Sequence, residues 1–351
     1  MPIVPRRRLL AAALAGTALL AGGLAAALAP GAAQAAGRAA GQVFTADEAG
    51  LSISRIDLAD GAVSTVAIGI APHNVQATAD GARLLAVGSE AGHGHAHGDR
   101  PGRLLVFDAD ALAAGPVADI AVGRHPGHVV ADAEGRRAFV TVSGDDAVAV
   151  VDLAAGRPVA TIPTGRFPHG LRISPDGREI LVANVEDGSV SLLSAAALRE
   201  IARIPVGRAP VQVGYTPDGR RAYVSLRDED AVAVLDMRER RVIGRIPVGR
   251  GPIQVHVTPD GRQVYVANQG SAAEPDDRVS VIDVAAGAVT ATLATGKGAH
   301  GVVAAPDGRR VYVTNILDSS VSVIDTAGPR VVGAFRVGRG PNGITLRAAG
   351  G

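Results

Sequence analysis

Val248-Gly249-Arg250-Gly251-Pro252-Ile253-Gln254-Val255-His256-Val257-Thr258-Pro259-Asp260-Gly261-Arg262-Gln263-Val264-Tyr265-Val266-Ala267-Asn268 reads as a turn, a strand, a tight turn and a second strand. Residues 253–258 and 264–268 carry the two-residue alternation and β-branched content of strands. Between them Pro259 and Asp260 favour turn entry, and Gly261 supplies the position that needs φ > 0. Further along, a polar loop leads to strands at 279–284 and 289–293. Four short strands of this kind make one antiparallel blade.

The same unit recurs. Its opening turn returns as Val122-Gly123-Arg124, Thr164-Gly165-Arg166, Val206-Gly207-Arg208, Thr295-Gly296-Lys297 and Val337-Gly338-Arg339, with Ile68-Gly69 as a weaker first copy. From Gly123 the glycine recurs every 42 residues to Gly249, then after 47 at Gly296 and after 42 at Gly338, whereas the first interval, from Gly69, is 54. A fixed period of this size marks a repeat architecture. Residues 43–46, 51–56 and 62–68 supply three strands that lack an inner partner, and 340–346 reads as a lone first strand. The expected fold is therefore all-β: a seven-bladed propeller of four-stranded antiparallel blades, closed by pairing the C-terminal strand beside residues 43–46, which removes exposed edges.

Tyr312-Val313-Thr314-Asn315, followed by Ser320-Val321-Ser322-Val323-Ile324-Asp325, resembles the signature of the YVTN β-propeller repeat family. Variants stand at Phe139-Val140-Thr141, Leu181-Val182-Ala183-Asn184, Tyr223-Val224-Ser225 and Tyr265-Val266-Ala267-Asn268. No Trp-Asp pair occurs, so a WD40 repeat fits poorly. The resemblance implies a secreted, periplasmic or surface propeller and fixes no single activity.

Residues 1–35 read as a signal peptide: Pro5-Arg6-Arg7-Arg8, an uncharged Ala/Leu/Gly run over 9–29, and Ala33-Gln34-Ala35 as the cleavage site. The arginines resemble a twin-arginine signal; the general secretory route and an uncleaved anchor are the competing readings. The organisation expected is signal peptide 1–35, linker 36–41, propeller 42–346 and tail 347–351, in the periplasm or secreted, with no membrane span after cleavage. Loss of the three arginines takes the net charge from +1 to about −2, which disfavours nucleic acid as a partner. The absence of cysteine excludes disulfides, thiolate metal sites and covalent c-type haem.

In such blades the outer-to-inner turns and the loops between second and third strands share one face, and all nine histidines are expected on or below it. His73, His169 and His300 stand at equivalent places, with Asn342 in the matching place after Pro341. With His128, Gln212 and Gln254 they form a candidate ligand or metal site at the channel mouth, against the competing reading of a Pro-His-Gly turn bonded to backbone. The insertion containing Glu90, His93, His95, His97 and Asp99 is a second candidate for Zn, Cu or Ni, against a solvated variable loop. Arg124, Arg166, Arg208, Arg250, Lys297 and Arg339 form a candidate anion-binding ring, against a belt of exposed ion pairs with nearby acidic loops.

No nucleophile elbow, phosphate loop, zincin motif or dinucleotide fingerprint occurs. No catalytic residue is assigned. The expectation is a monomeric exported binding scaffold for a protein or small molecule, metal-associated through the upper-face histidines. The alternative is a propeller enzyme, a lactonase or lyase or a metal- or haem d₁-dependent oxidoreductase, acting at the channel mouth.

Overall fold

The computed structural model describes residues 41–90, 101–271 and 273–349. Among them, 28 strands, numbered β1 to β28 in chain order, form seven four-stranded sheets. Six sheets use four consecutive strands, each beginning with an inner strand: β4 (Ile70–Ala77), β8 (Pro126–Ala131), β12 (Pro168–Ile173), β16 (Pro210–Tyr215), β20 (Pro252–Val257) and β24 (Ala299–Ala304). These are blades two to seven in chain order; blade one, the remaining sheet, has the order β28-β1-β2-β3, with β28 (Pro341–Ala348) inside β1 (Gly41–Asp47), β2 (Ser52–Asp57) and β3 (Val63–Ala67). The inner strands touch one another in cyclic order, and β28 also touches β4, so the ring is closed.

Closure has the expected register: Val43 pairs with Leu346, Phe44 with Thr345 and Thr45 with Ile344. One further bond crosses to the next blade, where the Ala77 N–H donates to Thr345 Oγ1 at 3.1 Å.

The core lies between blades. Seven apolar clusters each join two neighbouring sheets. Tyr223, Tyr265, Tyr312, Phe44 and Phe139 are fully buried at one repeated place in the second strand. Each contributes about 1.5–3 kcal/mol through burial, which lets a chain poor in aromatics hold a propeller. The turns also repeat: in Thr216-Pro217-Asp218-Gly219 and Thr258-Pro259-Asp260-Gly261 the threonine hydroxyl donates to the aspartate at 2.6 Å, and the glycines take φ of 68° and 70°.

One segment differs from expectation. The polar loop after residue 268 is instead an extension of the hairpin, since β21 (Gln263–Gly270) and β22 (Pro275–Asp283) continue pairing to Gly270 and Pro275. Asp276 anchors it through a bidentate bond from Arg278, at 2.7 and 2.6 Å.

Candidate metal and ligand site at the channel mouth

Every inner strand enters the channel at a proline, or at Ala299 in one blade, and its ladder is interrupted just after that residue. The interruption lets either of two residues face the axis. Where the first is His169, His300 or Asn342, the second is Gly170, Gly301 or Gly343; where the first is Gly127, Val211 or Ile253, the second is His128, Gln212 or Gln254. Blade two carries both, His73 and Asn74. The glycines are required by close approach: a Cβ on Gly170 would collide with the Gln212 amide, and one on Gly343 with Asn74.

The result is a compact polar layer. His73, His128 and His169 each bring one ring nitrogen within 4.8 Å of the others. Nε2 of His73 and Nε2 of His169 are 3.1 Å apart. His169 Nδ1 donates to the Val211 carbonyl at 3.2 Å, which leaves its Nε2 with a lone pair. His300 does the same through Nδ1 to the Asn342 carbonyl at 3.1 Å. The Gln212 amide lies 3.4 Å from His128 Nδ1, while His128 Nε2 is buried with no hydrogen-bond partner. Gln254 bonds the Val302 N–H at 3.4 Å and points its Nε2 into the interior unpartnered.

A carboxylate completes the layer. Glu48 follows β1 in a short turn whose Glu48 and Gly50 N–H groups donate to Gly340 and Arg339 carbonyls at 3.0 and 2.9 Å. Its Oε2 accepts a short bond from Asn342 Nδ2 and lies 3.5 Å from His73 Nδ1. Asn342 Nδ2 is also 3.2 Å from His73 Nδ1. Burial raises the Glu48 carboxyl, but His73 and the Asn342 amide outweigh it and bring it down to about 2.

Burial, reinforced by the neighbouring imidazoles, pushes His128 far below the usual histidine range and His169 down to about 3. Burial and His73 bring His300 to about 4, against the opposing pull of the Asn342 carbonyl. At neutral pH these three rings are uncharged, the form that binds metal.

The donor set fits a divalent transition metal. With metal–nitrogen bonds of about 2.0–2.1 Å, tetrahedral geometry places ligand nitrogens about 3.4 Å apart, close to the His73–His169 separation. Val211 accepts from the second nitrogen of His169, the outer-shell pattern of zinc histidines, and the Glu48 carboxylate stands 3.5 Å from that of His73. For Nε2 of His128 to bind, the Gln212 amide must turn over to accept from Nδ1, releasing the Val213 N–H now bonded to Oε1 at 2.9 Å.

The other sequence candidates fall elsewhere. Glu90 ends β5 (Arg83–Glu90) opposite Ile70; His93, His95, His97 and Asp99 lie outside the described residues. The six cations of the ring are exposed, and four of them turn toward the acidic loops of their own blades. Arg124 Nε meets Asp145 at 2.7 Å, Arg166 Nε meets Asp187 at 3.0 Å, Arg250 Nη1 meets Glu274 at 3.1 Å, and Arg208 stands 4.0 Å from Glu229. The Lys297 N–H donates to Asp318 at 2.6 Å, and the Arg339 carbonyl serves the Glu48 turn. The sequence reading missed Glu48, although it opens the loop between second and third strands and so belongs to the histidine-bearing face.

Residues 107–263 match the model of the YNCE-like beta-propeller family. No curated protein sequence matches the chain. Among solved structures, the periplasmic gluconolactonase of Pseudomonas aeruginosa superposes with a TM-score of 0.72 at 20% identity, covering 88% of this chain and 99% of that one. Hydrazine synthase of Kuenenia stuttgartiensis gives 0.67 at 19%, covering 79% and 95%. A putative 6-phosphogluconolactonase of Bacteroides fragilis gives 0.69 at 15%, covering 87% and 97%. At these identities the likeness is one of fold.

Proposed function

We propose that this chain is an exported propeller that binds one divalent transition metal, Zn²⁺ or Cu²⁺, through His73, His128 and His169. The observation that carries the reading is the convergence of three ring nitrogens within 4.8 Å, from three different blades. The uncharged rings of His128 and His169, the unpartnered Nε2 of His128, the acceptor behind His169 and the Glu48 carboxylate beside His73 support it. Glu48 and Asn342 orient His73. A metal on three imidazoles keeps a position open for water or a ligand and supplies a Lewis acid there.

Metal analysis of untagged protein purified from its native envelope tests this. About one equivalent of Zn or Cu is expected, lost in the double variant His73→Ala/His169→Ala and retained when residues 93–97 are deleted. Metal that survives the double substitution, or its absence from the native protein, overturns the assignment. A second reading, opening of a sugar lactone, draws on the same open position and on the gluconolactonase that shares the fold. It requires that δ-gluconolactone hydrolysis by the protein be abolished by chelation; without that loss the enzymatic reading fails and metal binding stands alone.

A further inference from the structure

The opposite end of the channel is built by an equivalent layer, four residues after each entry proline, and it carries different chemistry. Gln76, Arg172, His256 and Thr345 are its polar members; Val130, Gly214 and Val303 fill the equivalent places of the other blades. All but Gly214 line a recess of about 290 Å³, at the small end of ligand pockets. Ala77, Ile173, Val302, Ile344 and Leu346 make most of its remaining wall apolar.

Arg172 is out of place in such a wall. It projects from β12, the innermost strand of its blade, and among the described residues its side chain makes one hydrogen bond, from Nη1 to the carbonyl of its neighbour Leu171 at 3.0 Å. No Asp or Glu lines the recess among the described residues. Other arginines of this chain do find carboxylates, as Arg278 does with Asp276 at 2.6 Å and Arg310 with Asp325 at 2.8 Å. An inward guanidinium without a counter-charge is costly unless something supplies one.

The geometry points to a binding site for a small organic monocarboxylate at this lower mouth, its carboxylate held by the Arg172 fork beside His256 and its apolar body lying against Val130, Val303 and Leu346. A planar fork presents two parallel N–H donors to a carboxylate. Burial lowers Arg172 only to about 10, so its charge persists at neutral pH. Burial and Arg172 together take His256 to about 3, leaving a neutral imidazole. The recess therefore offers one positive charge, which suits a monoanion better than a phosphate dianion. Gly214, between the Arg172 and His256 blades, keeps the space open: a Cβ there meets Val255 Cγ2 at an ordinary 3.5 Å, so a longer side chain would fit the backbone and reach into the recess.

Benzoate is the probe, with neutral benzamide as control, measured by calorimetry on the full chain. Benzoate is expected to bind and benzamide not to. Affinity should fall at least tenfold in Arg172→Gln and in Gly214→Leu, and stay unchanged in His73→Ala/His169→Ala. In buffer without carboxylates Arg172→Gln should melt no lower than the parent, because it removes an uncompensated charge. Failure of benzoate to bind the parent, equal binding by Arg172→Gln or Gly214→Leu, or tighter binding of inorganic phosphate than of benzoate would each overturn the proposal.

Discussion

Blade seven and the blade that joins the chain ends share one scaffold and differ where it counts for chemistry. In blade seven the second strand ends at Asn315, whose Nδ2 donates to Ser320 and Ser322 at 2.9 Å each. The loop then places Asp318 at the rim, where it accepts from the Lys297 backbone at 2.6 Å. In the joined blade the equivalent of Asn315 is Asp47, and the rim carboxylate is replaced by Gly50. The acid has moved two residues earlier, to Glu48, which faces the channel. The comparison teaches that a carboxylate moved from the third loop position to the first gives up a backbone hydrogen bond at the rim and enters the channel layer, with no change of fold.

Four experiments sharpen or break that contrast. The largest effect belongs to deletion of residues 341–351, which removes β28 and uncovers the cluster holding Ile344 and Leu346. The loss is expected to reach 5 kcal/mol or more, comparable with a whole domain's stability, and thermal melting checks it. A truncated chain melting like the parent would mean that the seam is dispensable. Next, Glu48→Gln should weaken metal binding by about 10- to 100-fold by removing the negative charge behind His73, while the melting temperature holds. The matched change Asp318→Asn in blade seven should leave metal affinity unaltered.

Third, Asp47→Asn copies blade seven into the joined blade. Burial raises the Asp47 carboxyl despite bonds from Ser54, Thr45 and Ser52. The folded chain therefore holds that proton at a pH where the unfolded chain has released it. Stability falls as pH rises from the ordinary carboxyl value of 3.8 through the raised one, and the deficit persists at neutral pH. Asparagine should abolish this fall and raise neutral-pH stability by about 1 kcal/mol, read from denaturant melts at several pH values. The smallest effect is that of Arg166→Ala at the rim, an exposed pair expected to change stability by about 0.2–1 kcal/mol. A clearly larger loss would give the cationic belt a structural importance that the joined blade lacks.

The fold was legible because glycine spacing, turn chemistry and the three-plus-one strand count pointed to one architecture. The closure could be read because residues 43–68 lack an inner partner and 340–346 lacks outer ones. All three members of the triad were named from the sequence, His73 and His169 from their equivalent places and His128 beside them; what was not legible is that His128, one residue later on its strand, is turned to the axis by the ladder interruption. Periodicity cannot say which of two successive residues faces inward at an irregularity. Glu48 was hidden because an acid beside a turn resembles the many rim carboxylates. Arg172 was hidden because a lone arginine on a short strand reads as solvent-facing, and only the ring places it across from His256.

The seam supplies the residues that orient one ligand of the proposed metal site. Asn342 reaches Glu48 across 294 positions of sequence and His73 across 269. Contacts of such long range form late because their loop-closure entropy must first be overcome. Ligand capture at the histidines would therefore act as a receipt for finished assembly: a chain whose last strand has not docked lacks the oriented His73, and metal uptake would count only molecules whose circle is complete.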